Sequence, residues 1–360
     1  MRVHNFYAGP ATLPQSVLQQ AASELPDYHN LGLSILETSH RSKEYDEVHN
    51  SALDRLRSLL GLGEEFDIVL LGGGATLQFG MVPMNLLGPD TSCDMVVSGS
   101  WAKKARADAK TIGKVHVAFD GADSGYTTLP DSATLHAQPG SAYMHITSNE
   151  TIQGLQWKDF PDLGNTPLIC DMSSDILSRP LPLDRFDLIY AGAQKNLGPA
   201  GVTVVILRRT LLDRMHDNLP AYLSYRTHVE KNSLYNTPPV YAVYLLDKVL
   251  GWVEAEGGLT AMDQNAEAKS GVVYRAIDES DGYYRCPVDT NFRSRMNVVF
   301  RLPDEDREAK FIAEAEKAGM VGLKGHRSVG GVRASLYNAL PLKAAEDLAA
   351  FMHRFRSDNP

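Results

Sequence analysis

A series of short apolar runs through the middle of the chain limits its fold more than any other feature. "FDIVLL" (66–71), "CDMVVSG", "KVHVAF", "AYMHITS", "PLICDMS", "FDLIYAG" and "VTVVILR" follow one another, each bounded by turn residues. Short runs that are apolar throughout are the mark of strands buried on both faces. Helical patterns lie between several of them, such as "SWAKKARADAK" after "CDMVVSG". This alternation predicts an α/β fold, a mostly parallel mixed sheet flanked by helices. Only a short loop separates "FDLIYAG" from "VTVVILR", so those two strands are expected to be antiparallel neighbours. "TPPVYAVYLLDKVLGWVEAEGG" then reads as a long helix ending at Gly257-Gly258. Beyond it the texture changes to further helix patterns and one strand, "RMNVVFRL". We therefore expect a large domain over residues 11–255 and a smaller α+β domain made of 1–10 and 256–360.

Charge and cysteine usage remove several functions. The net charge is −9, which disfavours a broad grip on nucleic acid but leaves room for a local cationic pocket. Cys93, Cys170 and Cys286 form no CxxC pair, and an odd, scattered set fits a reducing compartment. The start lacks the apolar core of a signal peptide, and no apolar run approaches the length of a membrane span. The expectation is a cytoplasmic protein with no membrane and no nucleic-acid partner. The histidines show no HExxH and no close His/Cys cluster, so no metal site is indicated.

Three segments carry candidate chemistry. In "LLGGGATLQFG" a strand ends in glycines and a helix opens, a place where backbone N–H groups can cradle a phosphate. It matches neither GxxxxGK[ST] nor GxGxxG, so the nucleotide readings lose support. In "PLICDMSSD", Asp171 ends a buried-looking strand, where a carboxylate is costly unless something cationic meets it. In "DLIYAGAQKNLGPAG", Lys195 stands among residues with almost no side chain. Lysine shifts its pKa readily and forms Schiff bases with carbonyls. Each has an ordinary structural use when taken alone. Together they make one device: a lysine for an aldehyde, an aspartate for a ring nitrogen and a helix start for a phosphate, the pyridoxal phosphate arrangement. Trp101 follows a strand and can stack on a ring, and Thr151 in "SNETIQG" can hydrogen-bond near it. Two His-Arg pairs, His40-Arg41 and His326-Arg327, can clamp a phosphate. Arg333 in "GGVRASLYN" suits a substrate carboxylate.

With these residues assembled, the chain resembles the phosphoserine aminotransferases, class V aminotransferases of the fold-type-I pyridoxal phosphate enzymes. The resemblance runs almost end to end. It rests on "SHRSKE", "SNETIQG", "DMSSDILSRP", "IYAGAQKNLGPAG", "NTPP" and "KGHR". It implies one pyridoxal 5'-phosphate per subunit, held as a Schiff base by Lys195. Asp171 would meet its ring nitrogen and Trp101 its ring face. Thr151 and Gln194 would also touch it, and Ala75 and Thr76 would give backbone donors to its phosphate. Asn236 and Thr237 would reach the cofactor phosphate of the neighbouring subunit, which implies a homodimer with shared active sites. Arg333 would hold the substrate α-carboxylate, and His40, Arg41, His326 and Arg327 the substrate phosphate. The implied reaction is ping-pong transamination between L-glutamate and 3-phosphohydroxypyruvate, giving O-phospho-L-serine and 2-oxoglutarate in serine biosynthesis. The resemblance also implies formation of 4-phosphohydroxythreonine in pyridoxine biosynthesis. Thr76 stands where some members carry an arginine and others a small hydroxyl residue, a subgroup difference that bears on the charge around the cofactor phosphate.

Three alternatives have distinct signatures. A cysteine desulfurase would carry a histidine before the lysine, where Gln194 stands, and a nucleophilic cysteine in a Gly/Ser-rich loop, where Cys286 does not lie. An alanine–glyoxylate type aminotransferase would have no use for two His-Arg pairs. A non-catalytic anion-binding protein would not need both Asp171 and Lys195.

Overall fold

The computed structural model describes residues 2–360. In chain order it runs through β1 (His4–Asn5), α1 (Gln15–Glu24), α2 (Lys43–Leu60), β2 (Phe66–Leu71) and α3 (Gly74–Leu86). Then follow β3 (Ser92–Val97), α4 (Ser100–Ile112), β4 (Lys114–Asp120), β5 (Ser141–Thr147), β6 (Asn149–Glu150) and β7 (Leu155–Gln156). The sheet is completed by β8 (Leu168–Asp171), β9 (Leu188–Gly192) and β10 (Thr203–Arg208), followed by the short α5 (Arg209–Leu212) and α6 (Tyr225–Glu230). After α7 (Val240–Ala255) come α8 (Gly258–Asp278), β11 (Asn297–Phe300), α9 (Glu305–Lys317), β12 (Met320–Val321), β13 (Val332–Ser335) and α10 (Leu342–Asp358).

Seven strands form one sheet in the order β2-β10-β9-β8-β5-β3-β4. β3, β4, β5, β8 and β9 pair in parallel, and β10 pairs antiparallel with both β9 and β2. The sheet is therefore mixed but mostly parallel, and β10 alone runs against the rest. The expected antiparallel pairing of β9 with β10 is present, with Gly192 opposite Thr203 and Leu188 opposite Leu207.

Side chains alternate across this sheet as the pleat requires. Ile68, Leu70, Met144, Ile146, Leu168, Cys170, Ile189, Ala191, Val204 and Ile206 enter one core, which also takes residues of α2 and α7. Val69, Leu71, Tyr143, Ile169, Leu188, Tyr190, Val205 and Leu207 enter the opposite core with residues of α3 and α4. Each fully buried Val, Leu or Ile stabilises by roughly 1.5–3 kcal/mol, and here the buried apolar positions of the inner strands are divided between the two cores. Asp171 has the parity of Ile169. Its side chain thus belongs to the α3/α4 side of the sheet, at the strand's carboxyl end.

The expected helix end at the Gly257-Gly258 pair is present, and the pair is also a junction: α7 ends at Ala255 and α8 starts at Gly258. A separate apolar core joins α8, α9 and α10 with β11 and β13. At its centre Phe311 meets Phe351 and Phe355 with ring centroids 5.0 and 5.1 Å apart. β1 pairs in parallel with β12, so the first strand of the chain joins elements formed after residue 300.

Candidate active site

Ala75 and Thr76 at the start of α3, with Trp101, Thr151, Asp171 and Lys195, arrive at one edge because each follows, or ends, a strand of the same direction. β2 leads through Gly72 and Gly73 into α3, β3 leads to Trp101, β5 leads to Thr151, β8 ends at Asp171, and Lys195 follows β9 by three residues. The carboxyl edge of an open parallel sheet is where such folds hold ligands. A cleft of about 360 Å³ opens there. Among its lining residues are Ala75, Thr76, Trp101, Thr151, Asp171, Gln194, Lys195, His326 and Arg333.

Lys195 reaches into the cleft and donates from Nζ to Thr151 Oγ1 at 2.8 Å. Its Nζ also lies 5.8 Å from the centroid of the Trp101 ring. Burial pulls its pKa down to about 8; the Arg333 guanidinium adds to this, while the Asp171 and Glu150 carboxylates oppose it. Asp171 is 5% exposed. Burial pushes its carboxyl up, opposed by hydrogen bonds from Ser173 and by the Lys195 charge. Both Ser173 bonds, from N at 2.9 Å and Oγ at 2.6 Å, end on Oδ1. Fixing one oxygen this way orients the carboxylate and leaves Oδ2 as the acceptor toward the cleft.

The start of α3 supplies donors. Gly73 precedes the helix at φ 86°, in the left-handed region, and a Cβ there would stand 2.6 Å from Leu77 Cδ2, so only glycine makes this entry. No side chain caps this helix start and its first turn has no acidic residue. Its backbone N–H groups are therefore free for an anion. Arg333 sits on β13 opposite Val299. Its Nη1 lies 3.5 Å from Thr151 O, and its buried Nε has no acceptor in the chain. Such a guanidinium fits a carboxylate.

His40, Arg41, Asn236, Thr237 and Arg327 do not line this chain's own cleft. His40 is half-buried and Arg41 exposed, just before Ser42, which caps α2 by accepting from Tyr45 N. Asn236 and Thr237 are exposed in the loop between α6 and α7. His326 reaches the cleft, whereas Arg327, beside it in the same exposed loop, does not line it.

Several site residues escaped sequence reasoning. Ser173 anchors Asp171, and the Asp-x-Ser spacing in "DMSSD" is the Asx-turn signal that could have found it. Asn149 donates to Ser174 Oγ and Asn297 Oδ1, both at 2.8 Å. Asn297 in turn donates to Ser335 Oγ on β13, at 3.0 Å. This buried chain ties the strand of Arg333 to the turn of Thr151. No local pattern shows it, because its members lie far apart in sequence.

A buried lysine facing a cleft, an oriented carboxylate with one free oxygen, an aromatic face and an uncapped helix start define a class: enzymes that work through pyridoxal phosphate. Residues 3–348 match the model of the Aminotransferase class-V family. The phosphoserine aminotransferase of Lysinibacillus sphaericus is 52% identical over 355 residues, covering 99% of this chain and 98% of that one. The solved phosphoserine aminotransferase from Bacillus circulans subsp. alkalophilus superposes with a TM-score of 0.98 at 50% identity, over 100% of this chain and 99% of that one. A PLP-bound phosphoserine aminotransferase from Trichomonas vaginalis superposes with a TM-score of 0.92 at 39% identity, over 98% and 100% of the two chains. The chain belongs to the class-V aminotransferase family, and with the family comes pyridoxal phosphate as cofactor.

Proposed function

We propose that the chain moves an amino group reversibly between L-glutamate and 3-phosphohydroxypyruvate, giving O-phospho-L-serine and 2-oxoglutarate. The carrying observation is Lys195 Nζ in a cleft that also holds Asp171 and Arg333. Pyridoxal phosphate, when bound, supplies an aldehyde that exchanges amino groups and a ring that withdraws electrons from the substrate Cα. Lys195 would hold the aldehyde carbon, Asp171 Oδ2 the ring nitrogen and Trp101 the ring face. Thr151 and Gln194, which line the same cleft, would border the ring, and the amides of Ala75 and Thr76 would meet the phosphate. Arg333 orients the substrate through its α-carboxylate. Lys195 Nζ would take up the substrate Cα proton and later give it back, a task suited to an amine with its pKa lowered toward neutrality.

The distal anion of the substrate is read by the two His-Arg pairs. Arg41 and Arg327 present forked donors and match a phosphate better than a neutral hydroxyl. His40 and Arg41, with Asn236 and Thr237, would enter the cleft of a second copy of the chain, and one phosphate of each kind would be held across the interface. Leu31, Leu33 and Leu36, just before His40, are 37–55% exposed, as a surface meeting a partner would be. The proposal extends to the phosphorylated keto acid one carbon longer that leads to 4-phosphohydroxythreonine, because its end groups are the same.

The test is a visible spectrum of the reconstituted protein titrated with O-phospho-L-serine, with L-serine as control. Phosphoserine is expected to bleach the yellow colour at concentrations where serine does not. Arg41→Ala and Arg327→Ala should each raise the phosphoserine concentration needed by about 10-fold or more. Equal bleaching by both amino acids would remove the phosphate reading.

The pKa of Lys195 gives a second check. Its amine is charged below a pH of about 8 and nucleophilic above it. The rate at which the cofactor-free chain gains colour with pyridoxal phosphate should rise with pH and level off above about 8. Below that point it should fall about tenfold per pH unit. Stopped-flow absorbance at fixed cofactor checks this, and a rate still climbing about tenfold per unit beyond pH 9, as for an ordinary lysine, would contradict the depressed pKa.

A further inference from the structure

The "SNETIQG" segment contributes more than Thr151. Its Glu150 is fully buried at 0% exposure. Yet no lysine or arginine is bonded to it. Its Oε2 accepts from Trp101 N at 3.1 Å, and its Oε1 accepts from Ala102 N at 3.1 Å and Ser98 Oγ at 3.2 Å. Three residues on, Gln153 Oε1 accepts from Ser100 N at 3.2 Å, and its Nε2 donates to Ser100 Oγ at 2.8 Å.

These bonds replace the cap that α4 lacks. Gly99 precedes the helix and has no side chain to offer, so the first amides of α4 would be orphans. Ser100, Trp101 and Ala102 instead find acceptors on a turn some fifty residues later in the chain. The fit also explains Gly99, since a Cβ there would stand 2.5 Å from Glu150 Cδ. The same turn is fixed on its other side. Thr151 Oγ1 accepts from Lys195 Nζ at 2.8 Å, and Gly154 N donates to Glu150 O at 2.8 Å.

We propose that Glu150 is a positioning residue of the ring site: its carboxylate locks the start of α4, and with it the Trp101 indole, to the turn that carries Thr151. Glu150 does not touch the ring. It sets the distance between the face that Trp101 offers and the edge where Thr151 and Lys195 stand. A carboxylate offers a separate oxygen to each of the two helix amides, Oε2 to Trp101 N and Oε1 to Ala102 N, and the positive end of the helix favours negative charge there. This inference rests on the cofactor reading of the cleft.

The test uses two readouts. In the cofactor-free chain carrying Trp157→Phe and Trp252→Phe, Trp101 is the sole tryptophan. Acrylamide quenching of its emission is expected to increase at least about two-fold in Glu150→Ala. In the reconstituted protein, visible circular dichroism per bound cofactor is expected to fall by about half or more in Glu150→Ala. Glu150→Gln keeps one acceptor oxygen and should fall between the two. Trp101→Phe serves as the reference for losing the stack. If Glu150→Ala does not fold, Glu150→Gln decides alone, and a dichroism equal to the parent's overturns the proposal. Unchanged quenching and unchanged dichroism in a folded Glu150→Ala overturn it as well. A chain that takes up no pyridoxal phosphate overturns the reading of the cleft instead, and quenching then still reports whether Glu150 holds Trp101.

Discussion

Replacing Lys195 with alanine is expected to lower transamination by about 10⁴-fold or more while leaving the fold intact. Two losses combine. The proposed attachment point for the cofactor aldehyde goes, and so does the one lysine among the described residues that line the cleft, whose proton shuttle would be worth about 10²–10⁴ on its own. The fold should survive because Lys195 contributes one hydrogen bond, to Thr151 Oγ1. Its ammonium is also held in surroundings that disfavour charge, as its pKa of about 8 shows. Melting temperature should therefore change little or rise slightly. A coupled assay for 2-oxoglutarate together with thermal unfolding checks both parts. Residual turnover above about 1% of the parent, outside the loss expected for a catalytic base, would show that another group carries the proton.

Replacing Asp171 with asparagine should produce effects of opposite sign on activity and stability. Asparagine can keep the Oδ1 acceptor used by Ser173 N and Oγ. It cannot hold a proton on a ring nitrogen, and removing one such preorganised electrostatic partner costs about 10²–10³ in kcat. In the cofactor-free chain the same change removes a buried carboxylate whose charged form is disfavoured by burial. Burial outweighs the Ser173 bonds and the Lys195 charge that oppose it, so the charged carboxylate costs stability and that chain should melt higher than its parent. A residue kept for packing would move both quantities downward. Finding the melting temperature lowered along with activity would place Asp171 in the scaffold.

Much of this was legible in the chain because strand ends announce themselves. Asp171 and Lys195 each stop an apolar run, and a doubly wound sheet sends the ends of its parallel strands to one side. Composition and periodicity cannot say in what order the strands stand. β10 enters between β2 and β9, and only pairing partners distant in sequence decide that. The role of Glu150 was hidden for the same reason. A cap is normally sought beside its helix, and here it comes from a turn beyond two further strands. His40 and Arg41 were legible as an anion-binding pair, whereas Asn236 and Thr237 were legible only through resemblance to other chains. Their place outside this chain's own cleft follows from where their loops lie.

The position of β2 has a consequence for how the chain emerges from the ribosome. β2 is the first strand of the central sheet to be made, and within that sheet it pairs only with β10, the last. Until Thr203–Arg208 has been synthesised, "FDIVLL" is an apolar strand with both edges open, the kind of segment that pairs with other chains. Sheet closure is a long-range event and belongs among the slow steps of folding. Lys195 lies on the stretch of chain joining β9 to β10, so the completed cleft and the closed sheet arrive together. Uptake of pyridoxal phosphate by newly made chains would then stabilise only those that have already secured their first strand.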